Sequence, residues 1–335
     1  MDFQLRIAHS EVSFPCGAQE TILDAAARAG YELPFSCRSG VCGNCEGEIL
    51  DGAFVEDVRR AELPVRAGPA TRVKFCRATP RSDLEILPRE VRRLDPDAQK
   101  TVVGKVFRIA KPCAEVAVLR IRFPAGTRVK FRAGQYLRII LEDGAERCFS
   151  LANPPHENDG AELHIRYLPG GRVGERVFTT IQMGDPIQVR LPFGDFHLCE
   201  SEKPILLVAG GTGFAPIKSI VEDALRKGVR RSMRLYWGAR QPDLLYMTDV
   251  VSRWAARHAG FSFIPVVSDP RAADGWRGRT GLVHRAVLED FPNPAGHEVY
   301  ACGGPAMITT ARQELEAAGL DPRDFHCDAF VPAGS

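Results

Sequence analysis

Cys37-Arg38-Ser39-Gly40-Val41-Cys42-Gly43-Asn44-Cys45, followed 31 positions later by Cys76, is the most informative stretch of this 335-residue chain. Cys-x4-Cys-x2-Cys plus one distant cysteine is the spacing that holds a [2Fe–2S] cluster. Three ligands on one tight loop let the backbone wrap the cluster. Gly40 and Gly43 supply turns without a Cβ and bring N–H groups toward the sulfurs, where they stabilise added negative charge. Structural zinc is the competing reading, but zinc sites usually pair their cysteines in Cys-x2-Cys knuckles. Cys76 has no such neighbour. A redox dithiol at Cys42 and Cys45 would leave Cys37 and Cys76 unexplained.

The rest of the composition narrows what this cluster can serve. No basic region followed by an apolar stretch opens the chain, and no apolar run reaches membrane-spanning length, so the expected location is cytoplasmic. There, ten cysteines belong to metal or redox chemistry before disulfides. The net charge of +2 asks for neither nucleic acid nor an anionic membrane as partner. Apolar and charged contents of 44% and 26% suit a globular protein, and the length suits two or three domains. Residues 1–93 hold 13 basic and 14 acidic residues, so the cluster-bearing part does not dock through a large negative field.

Working outward, Leu87-Pro88-Arg89-Glu90-Val91-Arg92-Arg93-Leu94-Asp95-Pro96 reads as a linker, being charged and interrupted by two prolines. The predicted organisation is a cluster domain at 1–92, a linker at 93–100, and two further domains at 101–200 and 201–335. The second domain has candidate strands at 102–109, 116–123, 135–141, 163–168 and 187–191, the pattern of a small antiparallel barrel. The third alternates strands at 205–209, 233–238, 261–267 and 298–302 with helices at 216–226, 244–258, 282–291 and 305–318. That rhythm predicts a doubly wound parallel sheet.

Each of these two domains carries a candidate nucleotide site. In the barrel, Arg147-Cys148-Phe149-Ser150 offers a cation for a pyrophosphate, a flat ring to lie on a flavin, and a donor for its reactive nitrogen. His164, Arg166 and Gly170-Gly171-Arg172-Val173 follow. The glycine-rich helix start offers unpaired N–H groups to phosphate. In the third domain, the strand at 205–209 runs into Gly210-Gly211-Thr212-Gly213, with Pro216 at the start of a helix. The strand at 298–302 runs into Cys302-Gly303-Gly304-Pro305. Both place glycine at a strand's C-terminal end, where open α/β sheets bind ligands. Gly211 and Gly213 satisfy Gly-x-Gly, but Pro216 replaces the third glycine of the common fingerprint. Arg240, after the strand at 233–238, offers a cation for a 2′-phosphate, yet NADH and NADPH both remain open.

Residues 1–90 resemble a plant-type ferredoxin domain, a β-grasp fold. Arg147-x-Phe149-Ser150 with the Gly170-Gly171 helix start resembles the FAD domain of the ferredoxin–NADP⁺ reductase superfamily, with Phe149 in place of the usual tyrosine. The Gly-Gly-Thr-Gly and Cys-Gly-Gly-Pro turns resemble the NAD(P) domain of that superfamily. The whole chain is similar to the reductase components of bacterial multicomponent oxygenases. Leu151-Ala152-Asn153-Pro154-Pro155 and the closing Asp328-Ala329-Phe330 are most similar to the reductases of aromatic-acid dioxygenases, terephthalate being one example. The resemblance implies an oxidoreductase: hydride from NADH or NADPH to FAD, then single electrons through the [2Fe–2S] cluster to an oxygenase component. It implies that Cys302 lies near the nicotinamide, that Ser150 lies near the flavin nitrogen, and that Phe330 rests near the flavin face. The same fusion could serve a deoxysugar dehydrase or a methane- or phenol-type hydroxylase. A zinc- and nucleotide-binding regulatory module is the alternative outside catalysis.

Overall fold

Alternating burial along Asp2–Ile7 and Leu84–Pro88 sets Leu5, Ile7, Leu84 and Ile86 toward one core, as the two-residue period of a strand requires. The computed structural model describes residues 2–56, 65–66, 70–95 and 98–331. Their contacts divide the chain into Met1–Ala98 and Gln99–Ser335.

In the first unit, five strands run in the order Ser13–Gly17, Asp2–Ile7, Leu84–Pro88, Glu46–Asp51, Thr71–Lys74. Asp2–Ile7 and Leu84–Pro88 are parallel and the other neighbours antiparallel. Helix Ile22–Arg28 starts where Thr21 Oγ1 accepts from the Asp24 N–H (3.2 Å), and it buries Ile22, Leu23, Ala25 and Ala26 against the sheet. This is a β-grasp fold. The stretch read as a linker is partly built into it. Arg92–Arg93 pairs antiparallel with Tyr31–Glu32, and the Leu94 N–H donates to the Gly30 carbonyl (2.9 Å). A two-residue strand has no period to read in sequence, so its charges and the nearby Pro88 dominated the expectation.

The second unit opens with six antiparallel strands ordered Glu146–Ser150, Tyr136–Ile140, Pro186–Phe193, Lys100–Cys113, Val116–Arg122, Gly160–Arg166. The Ala152 N–H donates to the Glu162 carbonyl (2.8 Å), bringing the two outer strands together. A six-stranded, wholly parallel sheet follows, ordered Arg279–Thr280, Phe261–Val267, Met233–Ala239, Ile205–Gly210, Glu298–Gly303, Phe325–Ala329. Chain direction through the sheet reverses between Ile205–Gly210 and Glu298–Gly303, so their C-terminal ends border a topological switch point.

Two edge strands, Arg279–Thr280 and Phe325–Ala329, were not visible in sequence. The helix expected over 244–258 is shorter. A 3₁₀ turn at Pro242–Leu244 ends at Leu245 in a non-helical conformation, Tyr246 turns inward, and the α-helix runs Thr248–Arg257.

Candidate functional site

The cysteine loop joins the helix side of the first unit to strand Glu46–Asp51. Gly40 has φ 80°, and a Cβ there would lie 2.9 Å from Arg77 Cγ, so the turn needs glycine. The sulfurs lie two by two. Cys37 Sγ accepts from the N–H groups of Cys42 (3.3 Å) and Ser39 (3.4 Å), and Cys42 Sγ accepts from the Cys37 N–H (3.5 Å). The Cys42 thiol, then Ser39, hold Cys37 well below the usual thiol range. The Cys45 and Cys76 thiols, both free, share a hydrogen bond, and the Gly40 N–H donates toward Cys76. Among the described residues no three His, Cys, Asp or Glu side chains converge as they would around one metal ion. Two pairs of thiols, fed by backbone donors, fit a two-metal cluster with two thiolates on each iron better than one tetrahedral zinc.

In the barrel, Arg147 and Phe149 share one face of strand Glu146–Ser150, and Cys148 and Ser150 the other. Phe149 is half-buried against the barrel core, and the Arg147 guanidinium donates to the Glu146 carbonyl (2.9 Å). Ser150 is buried and Cys148 exposed. Helix Arg172–Thr179 starts at Gly171 with no side-chain cap, so the amides of Arg172, Val173 and Gly174 remain donors for an anion. The Gly170 N–H is already given to Glu175 (2.6 Å). Arg172 pairs with Asp143 (2.7 Å), and Arg166 with Glu115 (2.8 Å). His164 is held inside the molecule by its own hydrogen bonds. Its side chain is wholly buried, and both ring nitrogens are taken, by Tyr246 (2.8 Å) and Glu162 (3.2 Å).

In the parallel sheet, Ile205–Gly210 passes through a 3₁₀ turn, Gly211–Gly213, into helix Phe214–Arg226, with Pro216 in its first turn and no side-chain cap. Glu298–Gly303 passes through Gly304 into helix Pro305–Ala317, also uncapped. A Cβ on Gly213 would lie 2.1 Å from the Cys302 carbonyl oxygen, so the two turns lock together. A Cβ on Gly211 or Gly304 would meet nothing within 4 Å, which leaves a cradle open beside them. Thr212 lies on its rim, half-buried. The arrangement fits the pyrophosphate of a dinucleotide. Cys302 is fully buried, and burial, with Asp328 and Cys327 adding to it, pushes its thiol far up. It is a packed neutral thiol rather than a nucleophile. Phe330 packs half-buried against this lobe, its N–H donating to the Gly303 carbonyl (2.8 Å). Arg240 is exposed and pairs with Glu115 (3.4 Å).

Three family models match in this same order. They are a 2Fe-2S iron-sulfur cluster binding domain over residues 5–81, an oxidoreductase FAD-binding domain over 104–198, and an oxidoreductase NAD-binding domain over 207–313. The chain is 41% identical to the reductase component 1 of terephthalate 1,2-dioxygenase from Comamonas sp, over the full length of both. It belongs to the ferredoxin–FAD–NAD(P) fusion reductases. It is also 34% identical to the CDP-6-deoxy-L-threo-D-glycero-4-hexulose-3-dehydrase reductase of Yersinia pseudotuberculosis, over 99% of this chain and 100% of that one. The crystal structure of Amycolatopsis cytochrome P450 reductase GcoB superposes with a TM-score of 0.75 at 29% identity, covering 99% of this chain and 100% of the other. A fusion reductase is an oxidoreductase with a [2Fe–2S] cluster, FAD and a nicotinamide dinucleotide as its redox groups. Among the described residues no helix is long and apolar enough to cross a membrane.

The reductase's structure adds residues that the sequence reading passed over. Asp328 is buried and stands beside Cys302 in the parallel register. Burial pushes the Tyr136 phenol up to about 12, with Cys148 and Asp328 adding to it and Arg138 opposing. Tyr136, Arg138 and Cys148 lie on the two paired barrel strands, close enough to Asp328 of the parallel sheet to feel its charge. Arg138 also lies over the Phe193 ring, 4.0 Å from its centroid. Asp328 falls in the closing run that carried the resemblance, but a lone aspartate near a chain end shows no pattern until its strand is paired.

Proposed function

We propose that this reductase feeds electrons to a terminal oxygenase that acts on an aromatic acid, and that four groups of its residues hold the redox centres. Cys37, Cys42, Cys45 and Cys76 ligate the cluster. Arg147, Phe149, Ser150 and the open amides of Arg172 and Val173 hold FAD. The Gly210–Gly213 turn and the Gly303-Gly304-Pro305 turn hold the nicotinamide dinucleotide, with Arg240 at the adenosine end. Phe330, held to the Gly303 carbonyl beside Cys302, would rest near the flavin face. When bound, the dinucleotide supplies hydride, FAD accepts it and releases electrons singly, and the cluster carries them one at a time.

The chain's own contribution is to bind, orient and exclude water. The uncapped helix starts receive phosphate charge. Gly213 sets the spacing of the two turns. Buried Ser150 offers a hydroxyl in a dry site, and Asp328 places its carboxyl group beside Cys302. The carrying observation is the pairing of the four sulfurs two by two. The acceptor assignment is supported by the 41% identity to a terephthalate dioxygenase reductase. The dehydrase reductase relative, at 34%, keeps a dehydrase acceptor as the second reading.

The purified protein should be orange-brown, with flavin and cluster absorbance that bleaches on adding NADH or NADPH. A colourless, zinc-containing protein sinks the assignment. Reconstitution with an aromatic-acid oxygenase should give product at a rate that a dehydrase acceptor does not match; the reverse outcome moves the partner, not the chemistry.

A further inference from the structure

One buried polar cluster lies outside the residues proposed to hold the redox groups, and it spans the meeting of the barrel and the parallel sheet. Strand Gly160–Arg166 contributes Glu162 and His164 from the barrel, and helix Phe214–Arg226 contributes Lys218 and Glu222 from the sheet side. Lys218 Nζ reaches Glu162 Oε1 (3.2 Å), Glu222 Oε2 (2.9 Å) and the Ala152 carbonyl (3.2 Å). Arg120 closes the group on Glu162 Oε2 (2.6 Å). The neighbouring Ser219 hydroxyl donates to the Asn153 carbonyl (2.7 Å).

From this cluster a continuous path runs to the pyrophosphate turn. His164 Nδ1 bonds the Tyr246 hydroxyl at 2.8 Å, its other nitrogen being occupied by Glu162. The Tyr246 ring stands edge-on to Trp237, with centroids 5.1 Å apart at 89°. Trp237 lies flat on Phe214, the first residue of the helix after the turn, at 3.9 Å and 11°. The Trp237 indole N–H donates to the Gly211 carbonyl at 3.0 Å. Trp237 is fully buried and Tyr246 nearly so, so neither ring can move without opening the core. A glycine turn has little stiffness of its own. Here it is pinned by an indole, the indole by two rings, and one of those rings by a histidine of the barrel.

We propose that the His164–Tyr246 hydrogen bond is a strut that fixes the nicotinamide pyrophosphate turn relative to the flavin barrel. Both are positioning residues, acting through Trp237 on Gly211. The proposal rests on the reductase reading, because it matters only if hydride crosses between the two lobes. Hydride transfer is sharply sensitive to the approach of donor and acceptor, so a strut across that junction acts on the rate rather than on the presence of either group.

Tyr246→Phe removes the bond and keeps the ring. In the holoprotein it should slow bleaching of the flavin by NADH or NADPH by about tenfold and raise the isotope effect with nucleotide deuterated at C4. Without nucleotide, amide exchange at residues 211–214 should quicken. FAD content and electron delivery from the dithionite-reduced protein to cytochrome c should stay at wild-type values, and the melting temperature should fall only by the few degrees that one lost buried hydrogen bond costs. His164→Gln, which can still bond a tyrosine hydroxyl, should recover part of the rate that His164→Ala loses. Unchanged hydride transfer and unchanged exchange in Tyr246→Phe overturn the strut. So does loss of FAD or of the fold, which would make the bond merely structural. A wild-type protein that neither nucleotide bleaches overturns the reductase reading itself.

Discussion

The cysteine loop and the glycine crevice of the parallel sheet both cradle a charged redox group, and they are built from opposite materials. In the loop, side-chain sulfurs hold the group and backbone amides tune it: Cys37 alone receives two N–H groups. In the crevice the cradle is backbone, two glycine turns packed closely together where Gly213 meets the Cys302 carbonyl. The first is a statement about residue type, the second about backbone position. The difference also predicts how each fails. Removing one ligand abolishes a metal site outright, whereas disturbing a turn degrades geometry by degrees.

The sharpest way to break that comparison is Cys76→Ser. It should abolish electron delivery to cytochrome c while leaving NAD(P)H-driven reduction of ferricyanide by the flavin largely intact. If both activities vanish while FAD stays bound, the order nicotinamide, flavin, cluster is wrong. Gly213→Ala tests the other side. Its Cβ would have to displace the Cys302 carbonyl, so the two turns must part. Flavin reduction by the nucleotide should slow by on the order of 100-fold, with the cluster spectrum and the dithionite-driven reaction with cytochrome c untouched. Wild-type kinetics in that variant would mean that the spacing of the turns is not what holds the nucleotide.

The same contrast explains what could be read in advance. Four cysteines at a diagnostic spacing announce their ligand directly, because thiolate chemistry belongs to the side chain. The four inner strands of the parallel sheet were equally plain, because a strand buried on both faces is a continuous apolar run, as Ile205–Gly210 is. Phe325–Ala329 was missed because it mixes Phe325, His326 and Asp328 in five residues, and only pairing with Glu298–Gly303 makes it a strand. His164 is grouped with the flavin motif by its place on a neighbouring candidate strand. The structure bonds its ring to Tyr246, 82 residues away, and no local pattern announces such a partner. Phe149 and Ser150 leave opposite faces of their strand, a placement that adjacent letters in a sequence do not disclose.

The buried junction of Glu162, His164 and Lys218 gives the last of the expected changes, one read in stability rather than in activity. Glu162 is buried to 4% exposure between Arg120, His164 and Lys218. Burial alone would raise its carboxyl, but the hydrogen bond from His164 and the charges of Lys218 and Arg120 more than reverse that, so its net position is well below the usual carboxylate range. A folded-state value below the unfolded one means stability that is present above the unfolded pKa and lost as pH falls toward the folded one. Glu162→Gln should therefore cost about 3 kcal/mol near neutrality, the range for removing one partner of a buried ion pair. The gap from wild type should close as pH drops below about 4, because wild type alone loses the contribution there. Urea unfolding of the two proteins between neutral pH and pH 3 measures it. A gap independent of pH would mean that the carboxylate acts by shape and not by charge, and the junction would then resemble the crevice, a matter of fit, more than the loop, a matter of ligand chemistry.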